Sequence, residues 1–302
     1  EMTVGFSTFL NFGFSVYYTQ SLKPKDIMKM MEEKKIQYMV AVPAFIKLLK
    51  TAIENEVNHL SPICKMLFEF KLKLAKFIPF TCIKRFMFRD IHKYAGGKFR
   101  GFISGGAPLD IDSAKFFEKV GISIYQVYGL TETSPVATAN TIKFRDMESV
   151  GRPLKSFEAK IDEQTGELLL KGPAVMKGYH NQPELTASVI DEDGWFHTGD
   201  IAKINKEGFV YITGRIKNMI VLSGGKKVFP EEVESVLDQS EYFAEVCVLG
   251  VARTFGAKDG TEDIAAVIVP KEELINQYDD ETLNSIVKGE VKKLSMRLTA
   301  YK

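Results

Sequence analysis

Cysteine is scarce in this chain, and what there is lies far apart. Cys64, Cys82 and Cys247 form no CxxC pair and have no histidine cluster beside them. That excludes a disulfide framework and reads as structural thiols in a reducing compartment. The four histidines are equally scattered, so no transition-metal site is expected. Neither sign of charge dominates: 40 Lys and Arg face 39 Asp and Glu, a net charge of +1. No global case for nucleic acid follows from that balance. Neither GxxxxGK[ST] nor GxGxxG occurs, so both common nucleotide-loop signatures are missing. One uncharged stretch, residues 2–22, is long enough for a bilayer. Its hydroxyl and amide side chains, with Gly5 and Gly13, make it poor for lipid; a buried helix followed by the strand "SVYYT" is expected instead. It also lacks the basic start and cleavage pattern of a signal peptide.

What remains is ordinary globular composition, 45% hydrophobic and 26% charged over 302 residues, enough for about two domains. Apolar spacing predicts a helix around Ile27–Ile36, then a buried strand "YMVAVP". Helix and strand alternate again through "KFRGFISGGAP", "DSAKFFEKVG" and "ISIYQVYG". Such alternation predicts an α/β fold with a mainly parallel sheet covered by helices. From about Val150, short strands with glycine turns predict a small antiparallel β region. After Arg215, "VFPEEVESVL" is a helix start, two strands follow, and a final amphipathic helix carries Leu283, Ile286, Val287, Leu294 and Leu298. The expected division is 1–215, with an α/β part over 1–147 and a β-rich part over 148–215. A small α+β C-terminal domain then spans 216–302, behind a short hinge. Both ends fall in mid-pattern and look cut. No repeats appear.

Five glycine-marked stretches stand out, and the first four carry groups suited to nucleotide chemistry. "YGLTETSP" closes a strand with Gly129, Thr131, Glu132 and Thr133; hydroxyls can donate to phosphoryl oxygens, and a carboxylate suits magnesium. A plain ST-type turn would use the same residues. "ISGGAPL" puts Gly105 and Gly106 where a flat base can lie, with Tyr128 to stack on it, though a tight turn before a helix near Asp110 explains it too. "FHTGDI" and "YITGRI" put Asp200 and Arg215 fifteen residues apart, a pair able to hold ribose hydroxyls and phosphate, or merely an ion pair on a surface hairpin. His197 is read as a structural neighbour. "LSGGKKVFP" is a glycine turn before a helix.

Taken in order, "SGGAPL", "YGLTETSP", "GELLLKGPAVMKGYHNQPELT", "GWFHTGDIA" and "GFVYITGRIKNMIVLSGGKKVFPEEVE" resemble the adenylate-forming enzymes, a superfamily of acyl-CoA synthetases, luciferases and adenylation domains. A lysine-rich helical insert before "SGGAPL" makes the likeness strongest to long-chain fatty-acid–CoA ligases. The resemblance implies roles. Thr131 and Glu132 would be catalytic, Thr131 on the ATP or adenylate phosphate and Glu132 on Mg2+. Ser104, Gly105, Gly106, Ala107, Pro108, Tyr128 and Gly129 would form the adenine pocket. Asp200, Ile212 and Arg215 would bind the nucleoside. Lys217 would be the hinge, and Gly224 with Gly225 would face the pantetheine arm of coenzyme A.

The activity implied is ATP-dependent activation of a fatty acid through an acyl-adenylate, with transfer to coenzyme A. Two parts the family uses, a Ser/Thr/Gly-rich phosphate loop and a C-terminal lysine, have no copy here, so little activity is expected of this chain alone. "FGFSVYYT" and "PAFIKLLK" are expected to help wall an acyl pocket. Residues 65–100 hold ten Lys and Arg against Glu69 and Asp90, net +8, interleaved with apolar residues. They fit either peripheral membrane contact or a solvated helical face, in a protein expected to be cytoplasmic. The alternatives are an adenylation domain loading another thiol acceptor and a non-catalytic nucleotide- or acyl-binding remnant.

Overall fold

A computed structural model describes residues 7–21, 23–222, 225–252 and 262–298. It divides into two compact units, one of 1–159, 170–196 and 204–211, the other of 160–169, 197–203 and 212–302.

The first unit begins with α1 (Thr8–Asn11), α2 (Pro24–Lys34), β1 (Tyr38–Ala41), α3 (Pro43–Asn58), α4 (Pro62–Ala75), α5 (Thr81–Met87), α6 (Arg89–Tyr94), β2 (Gly101–Ser104), α7 (Ile111–Lys119), β3 (Ser123–Tyr128), β4 (Thr138–Ala139) and β5 (Arg152–Pro153). They make one mixed sheet in the order β1-β2-β3-β4-β5. The first three strands run parallel, with Tyr38 opposite Gly101 and Ser104 opposite Gln126, and the last two turn antiparallel. Prolines open α3 and α4, where a missing N–H is harmless. Asp110 caps α7, its carboxylate accepting the N–H groups of Asp112 and Ser113.

Alternation along β3 buries Ile124 and Gln126 and leaves Tyr125 and Val127 partly open. The buried face meets the core of Ile46, Phe99, Phe102, Ala114, Phe117 and Val120. Phe99, Phe102 and Phe117 pack edge to face at 4.8 and 5.2 Å between ring centres. The opposite face, carrying Val40, Ile103, Tyr125 and Val127, is only partly covered, and Val40 is 41% exposed.

Two expectations are corrected here. "YMVAVP" is not a buried strand: β1 stops at Ala41 and is half open, since one of its faces lacks packing, and Pro43 already starts α3. Residues 15–19 form no strand, because among the described residues nothing pairs with their backbone. The helix before them is the four-residue α1, and Phe12, Phe14 and Tyr18 are exposed. Residues 1–6 lie outside the described range.

The chain continues through β6 (Glu158–Ile161), β7 (Glu167–Lys171), α8 (Pro183–Val189), β8 (Phe196–Ile204) and β9 (Val210–Arg215), the four strands hydrogen-bonded in that order. In the second unit follow β10 (Ile220–Val221), β11 (Lys227–Val228), α9 (Pro230–Leu237), β12 (Phe243–Ala252), β13 (Glu262–Pro270), α10 (Glu272–Ile275) and α11 (Asp280–Ser295). β12 and β13 are antiparallel, as are β10 and β11. Ile220, Val228, Val233, Leu237, Phe243, Val248 and Leu294 form this unit's core, joined by Val287 and Leu298 of the expected amphipathic stripe. This is the expected architecture, an α/β part with a mixed sheet and a small α+β C-terminal region.

Phe102→Ala should cost about 3–5 kcal/mol of unfolding free energy and Val40→Ala under about 1, read by urea titration. Tyr211 donates to Asp146 Oδ2 at 2.9 Å, and burial followed by that carboxylate pushes its phenol from 10.0 up to about 12. The unfolded chain therefore releases this proton first, so stability should fall as pH rises from about 10 to 12. Tyr211→Phe should flatten that part of the thermal-melting profile.

Candidate functional site

β3 and β4 are joined by a hairpin whose tip is "YGLTETSP". Ala137 N–H returns to Tyr128 O at 2.9 Å, closing the chain so tightly that a Cβ on Gly129 would run into Pro135 O. Within the tip, Thr131–Thr133 is a 3-10 turn. The two threonines do different things. Thr133 is fully buried and its Oγ1 accepts Leu130 N–H at 2.8 Å, so it builds the turn. Thr131 is exposed. Glu132 is held between them: its backbone O accepts Met176 N–H at 2.7 Å, and its Oε1 accepts the Tyr179 hydroxyl at 2.9 Å. Burial first, then Glu132, raises the Tyr179 phenol above its ordinary value. Glu132 thus presents an aimed carboxylate beside a solvent-facing hydroxyl.

On the neighbouring parallel strand, β2 ends at Ser104. Its hydroxyl is buried and has no hydrogen-bond partner among the described residues, a cost of about 1–3 kcal/mol that a bound polar group would remove. Gly105 follows, where a Cβ would come within 2.8 Å of Val127 O, and Gly106, Ala107 and Pro108 are exposed. An orphaned donor beside a backbone too tight for side chains fits a flat ligand such as a purine. Glu132 with Thr131 fits Mg2+, a cation that takes one or two carboxylates and completes its shell with phosphate and water. No cluster of three or more His, Cys, Asp or Glu exists among the described residues.

The second unit holds the Asp200 group. Glu167, 7% exposed, lies under it: Oε1 accepts Gly199 N–H at 2.7 Å and Oε2 contacts His197 Nδ1 at 2.9 Å. Thr198 Oγ1 donates to Leu168 O at 2.7 Å and accepts Asp200 N–H at 3.1 Å. Asp200 itself is 4% exposed, its Oδ1 accepting Arg215 Nε at 2.7 Å, while the arginine side chain is 54% exposed. A buried carboxylate under a guanidinium that still reaches solvent is unlike a surface hairpin pair, and it can serve hydroxyls and phosphate together. Ile212 is part of β9, half-buried, two residues before Gly214. Lys217 is exposed in the 3-10 turn Ile216–Asn218. Gly225 sits at the tip of the β10–β11 hairpin, its N–H on Leu222 O at 2.8 Å; Gly224 lies outside the described residues.

The sequence reading passed over two of these groups. Tyr179 and Glu167 each lie within a family block, with no role implied by the resemblance. Their position inside those blocks, a phenol in "MKGYHN" and an acid opening the strand "ELLLK", was the available signal. A cavity of about 1030 Å3 in the first unit is lined by Gly13, Phe14 and Tyr17 with Tyr38, Tyr125 and Phe144. "FGFSVYYT" therefore lines a mostly apolar space. In "PAFIKLLK", Pro43, Ile46 and Leu49 are buried on α3.

Comparison with known proteins agrees with the resemblance. Residues 1–180 match the AMP-binding enzyme family and residues 217–302 match the AMP-binding enzyme C-terminal domain. This chain belongs to the AMP-binding enzymes, the adenylate-forming superfamily, and within it is most like the fatty-acid ligases. It is 38% identical over 202 residues to the long-chain-fatty-acid–CoA ligase of Bacillus subtilis, covering 59% of this chain and 36% of that one. It is 36% identical over 234 residues to a chloroplastic long-chain-fatty-acid–[acyl-carrier-protein] ligase of Arabidopsis thaliana, covering 70% and 31%. The ATP-bound structure of MatB from Rhodopseudomonas palustris superposes with a TM-score of 0.66 at 28% identity, over 91% of this chain and 48% of that one. The chain thus spans about a third to a half of the length of these relatives.

Glu167→Ala strips both Gly199 and His197 of an acceptor in a dry place and should cost about 2–3 kcal/mol. Lys29→Ala, which removes only an exposed pair with Glu33 on α2, should cost under about 1 kcal/mol. Thermal melting of the two variants checks the order; equal losses would mean Glu167 is not the support of this turn.

Proposed function

We propose that the chain is part of an AMP-forming long-chain fatty-acid–CoA ligase. The observation that carries this reading is the aimed carboxylate of Glu132, tied by one oxygen to Tyr179 and set beside the exposed Thr131 hydroxyl, in a chain whose relatives include fatty-acid ligases.

The reaction couples an anion to a polyanion, so charge repulsion is the barrier to meet. A fatty carboxylate oxygen attacks the α-phosphorus of ATP, and the bond to pyrophosphate breaks. The sulfur of coenzyme A, having lost its proton, then attacks the acyl carbonyl, and AMP leaves. Thr131 donates to the phosphoryl oxygens, Glu132 holds Mg2+, and Ser104 with Gly105–Pro108, Tyr128 and Gly129 holds the adenine. Asp200, Arg215 and Ile212 hold the nucleoside. When bound, Mg2+ supplies neutralisation of phosphate charge. Gly224 and Gly225 face the pantetheine arm. Lys217 is the hinge of a C-terminal domain of 216–302 behind an adenylate-binding part of 1–215, and the second family match starting at residue 217 supports that division. The enzyme is cytoplasmic and meets membrane peripherally through 65–100. The described chain by itself turns over little, since neither the phosphate loop nor the C-terminal lysine is among its residues.

A second reading has one observation in its favour: a relative at 36% identity acts on acyl-carrier protein. Both share the adenylate and differ in the acceptor thiol. Pyrophosphate release from ATP and palmitate by the whole protein tests the first step. Product assays with coenzyme A and with acyl-carrier protein then separate the acceptors. Asp200→Ala and Glu132→Ala should each reduce pyrophosphate release by about a hundredfold or more. Undiminished turnover in both variants, or robust turnover by the 302-residue chain alone, would overturn this account.

A further inference from the structure

α4 is apolar on two opposite faces. Phe68, Leu72 and Ala75 turn inward; Ala75 is fully buried, and Phe68 packs edge-on against Phe88 at 5.6 Å. Those three fix the helix to the first unit. Ile63, Met66, Leu67, Phe70 and Leu74, with Phe77 just beyond the helix, are 44–78% exposed. At 3.6 residues per turn these six fall within about 100° of arc, a complete amphipathic stripe aimed at solvent. At the same spacing Lys71 borders one side of the stripe and Lys73 the other, while Lys65 and Lys76 lie farther round toward the inward face. α5 continues the character, with Phe80, Ile83 and Phe86 at 62%, 44% and 76% exposure.

We propose that this face of α4 and the turn after it lie on the surface of an anionic lipid bilayer. The fourteen residues of α4 extend about 21 Å, short of the roughly 30 Å hydrocarbon core, so the helix lies along the interface rather than across it. No helix among the described residues is long and apolar enough to cross a membrane. Phe70 and Phe77 enter the acyl boundary while the bordering lysines keep their ammonium groups among lipid phosphates. A protein partner or a second copy fits less well, because lysine is depleted from protein interfaces and here it edges the apolar stripe on both sides. Charge points to anionic lipid: 65–100 carries +8 in a chain of net charge +1. Not all of it faces lipid. The Arg85 guanidinium donates to Phe99 O at 2.6 Å, and burial lowers its pKa. The working cations are the two that flank the stripe, the half-buried Lys71 and the exposed Lys73.

The test uses the whole protein and the 302-residue chain with sedimented vesicles, either pure phosphatidylcholine or containing about 30% phosphatidylserine. Both proteins should bind the anionic vesicles and scarcely the neutral ones. Lys71→Glu/Lys73→Glu should weaken binding by about 25-fold or more, at roughly fivefold or more per lysine. Phe70→Glu/Phe77→Glu should weaken it at least about tenfold. Phe70, Phe77 and Lys73 are exposed and Lys71 is half-buried, so neither variant should lower the melting temperature by more than about 4 °C. Equal binding to both vesicle types, wild-type binding by both variants, or binding by the short chain but not by the whole protein would overturn the proposal. The last result would mean that other parts of the protein cover this face. Pyrophosphate release from a water-soluble medium-chain acid, read in the same variants, should be unchanged, so a failure here leaves the ligase reading standing.

Discussion

At the carboxyl ends of β2 and β3 the backbone comes closer to itself than any side chain allows. Tyr128 O receives Ala137 N–H, and the return strand passes so near Gly129 that only hydrogen fits there. That closeness makes the tip a tight 3-10 turn with one threonine inside and one outside. It also puts the Glu132 backbone where Met176 N–H can reach it, and the Glu132 carboxylate where Tyr179 can. Packing therefore sets the direction of the acid, and the acid needs no other carboxylate beside it. A lone aimed carboxylate suits a cation that arrives with its own phosphate ligands better than a preformed cage would.

The Asp200 group in the second unit solves a different problem, that of keeping an acid dry without stranding it. An ionised carboxylate away from water costs several kcal/mol unless its oxygens are engaged. Glu167 is satisfied from both sides, by a backbone N–H and by His197, and so becomes a fixed block under the turn. Thr198 Oγ1 is anchored on Leu168 O and accepts Asp200 N–H. Asp200 then has its backbone fixed and its Oδ1 accepting from Arg215 Nε at 2.7 Å. His197 Nδ1 lies 2.9 Å from Glu167 Oε2 and so helps hold that block in place.

Much of this was legible beforehand, for identifiable reasons. α7, α9, α11 and the strands around residues 101–128 announced themselves because cap residues, prolines and apolar periodicity agreed with one another. Asp200 and Arg215 were picked as a pair because each follows a glycine at the end of a β stretch. Tyr179 was not, since a tyrosine forty-seven residues from Glu132 carries no local pattern linking the two. Residues 15–19 misled because β-branched and aromatic side chains raise strand propensity regardless of whether a partner strand exists. "YMVAVP" misled for a related reason: an apolar run reports that a strand is half-buried or better and does not say which faces are covered.

The same ambiguity explains α4. Its apolar residues read as a helix hydrophobic nearly all round, and such a helix is either sunk in a core or in contact with lipid. Composition cannot choose, because Phe68 and Phe70 are the same residue type two positions apart. The fold decides by giving one of them a neighbour: Phe68 meets Phe88, whereas Phe70 is 61% exposed. Six large apolar side chains at helical spacing, left in water, represent unrealised transfer free energy of about 1.5–3 kcal/mol each if fully buried. A bilayer recovers part of that without requiring the lysines at the border to give up their hydration. That combination, a stripe that gains by leaving water and charges that need not, is why a lipid interface fits α4 better than a dry protein partner.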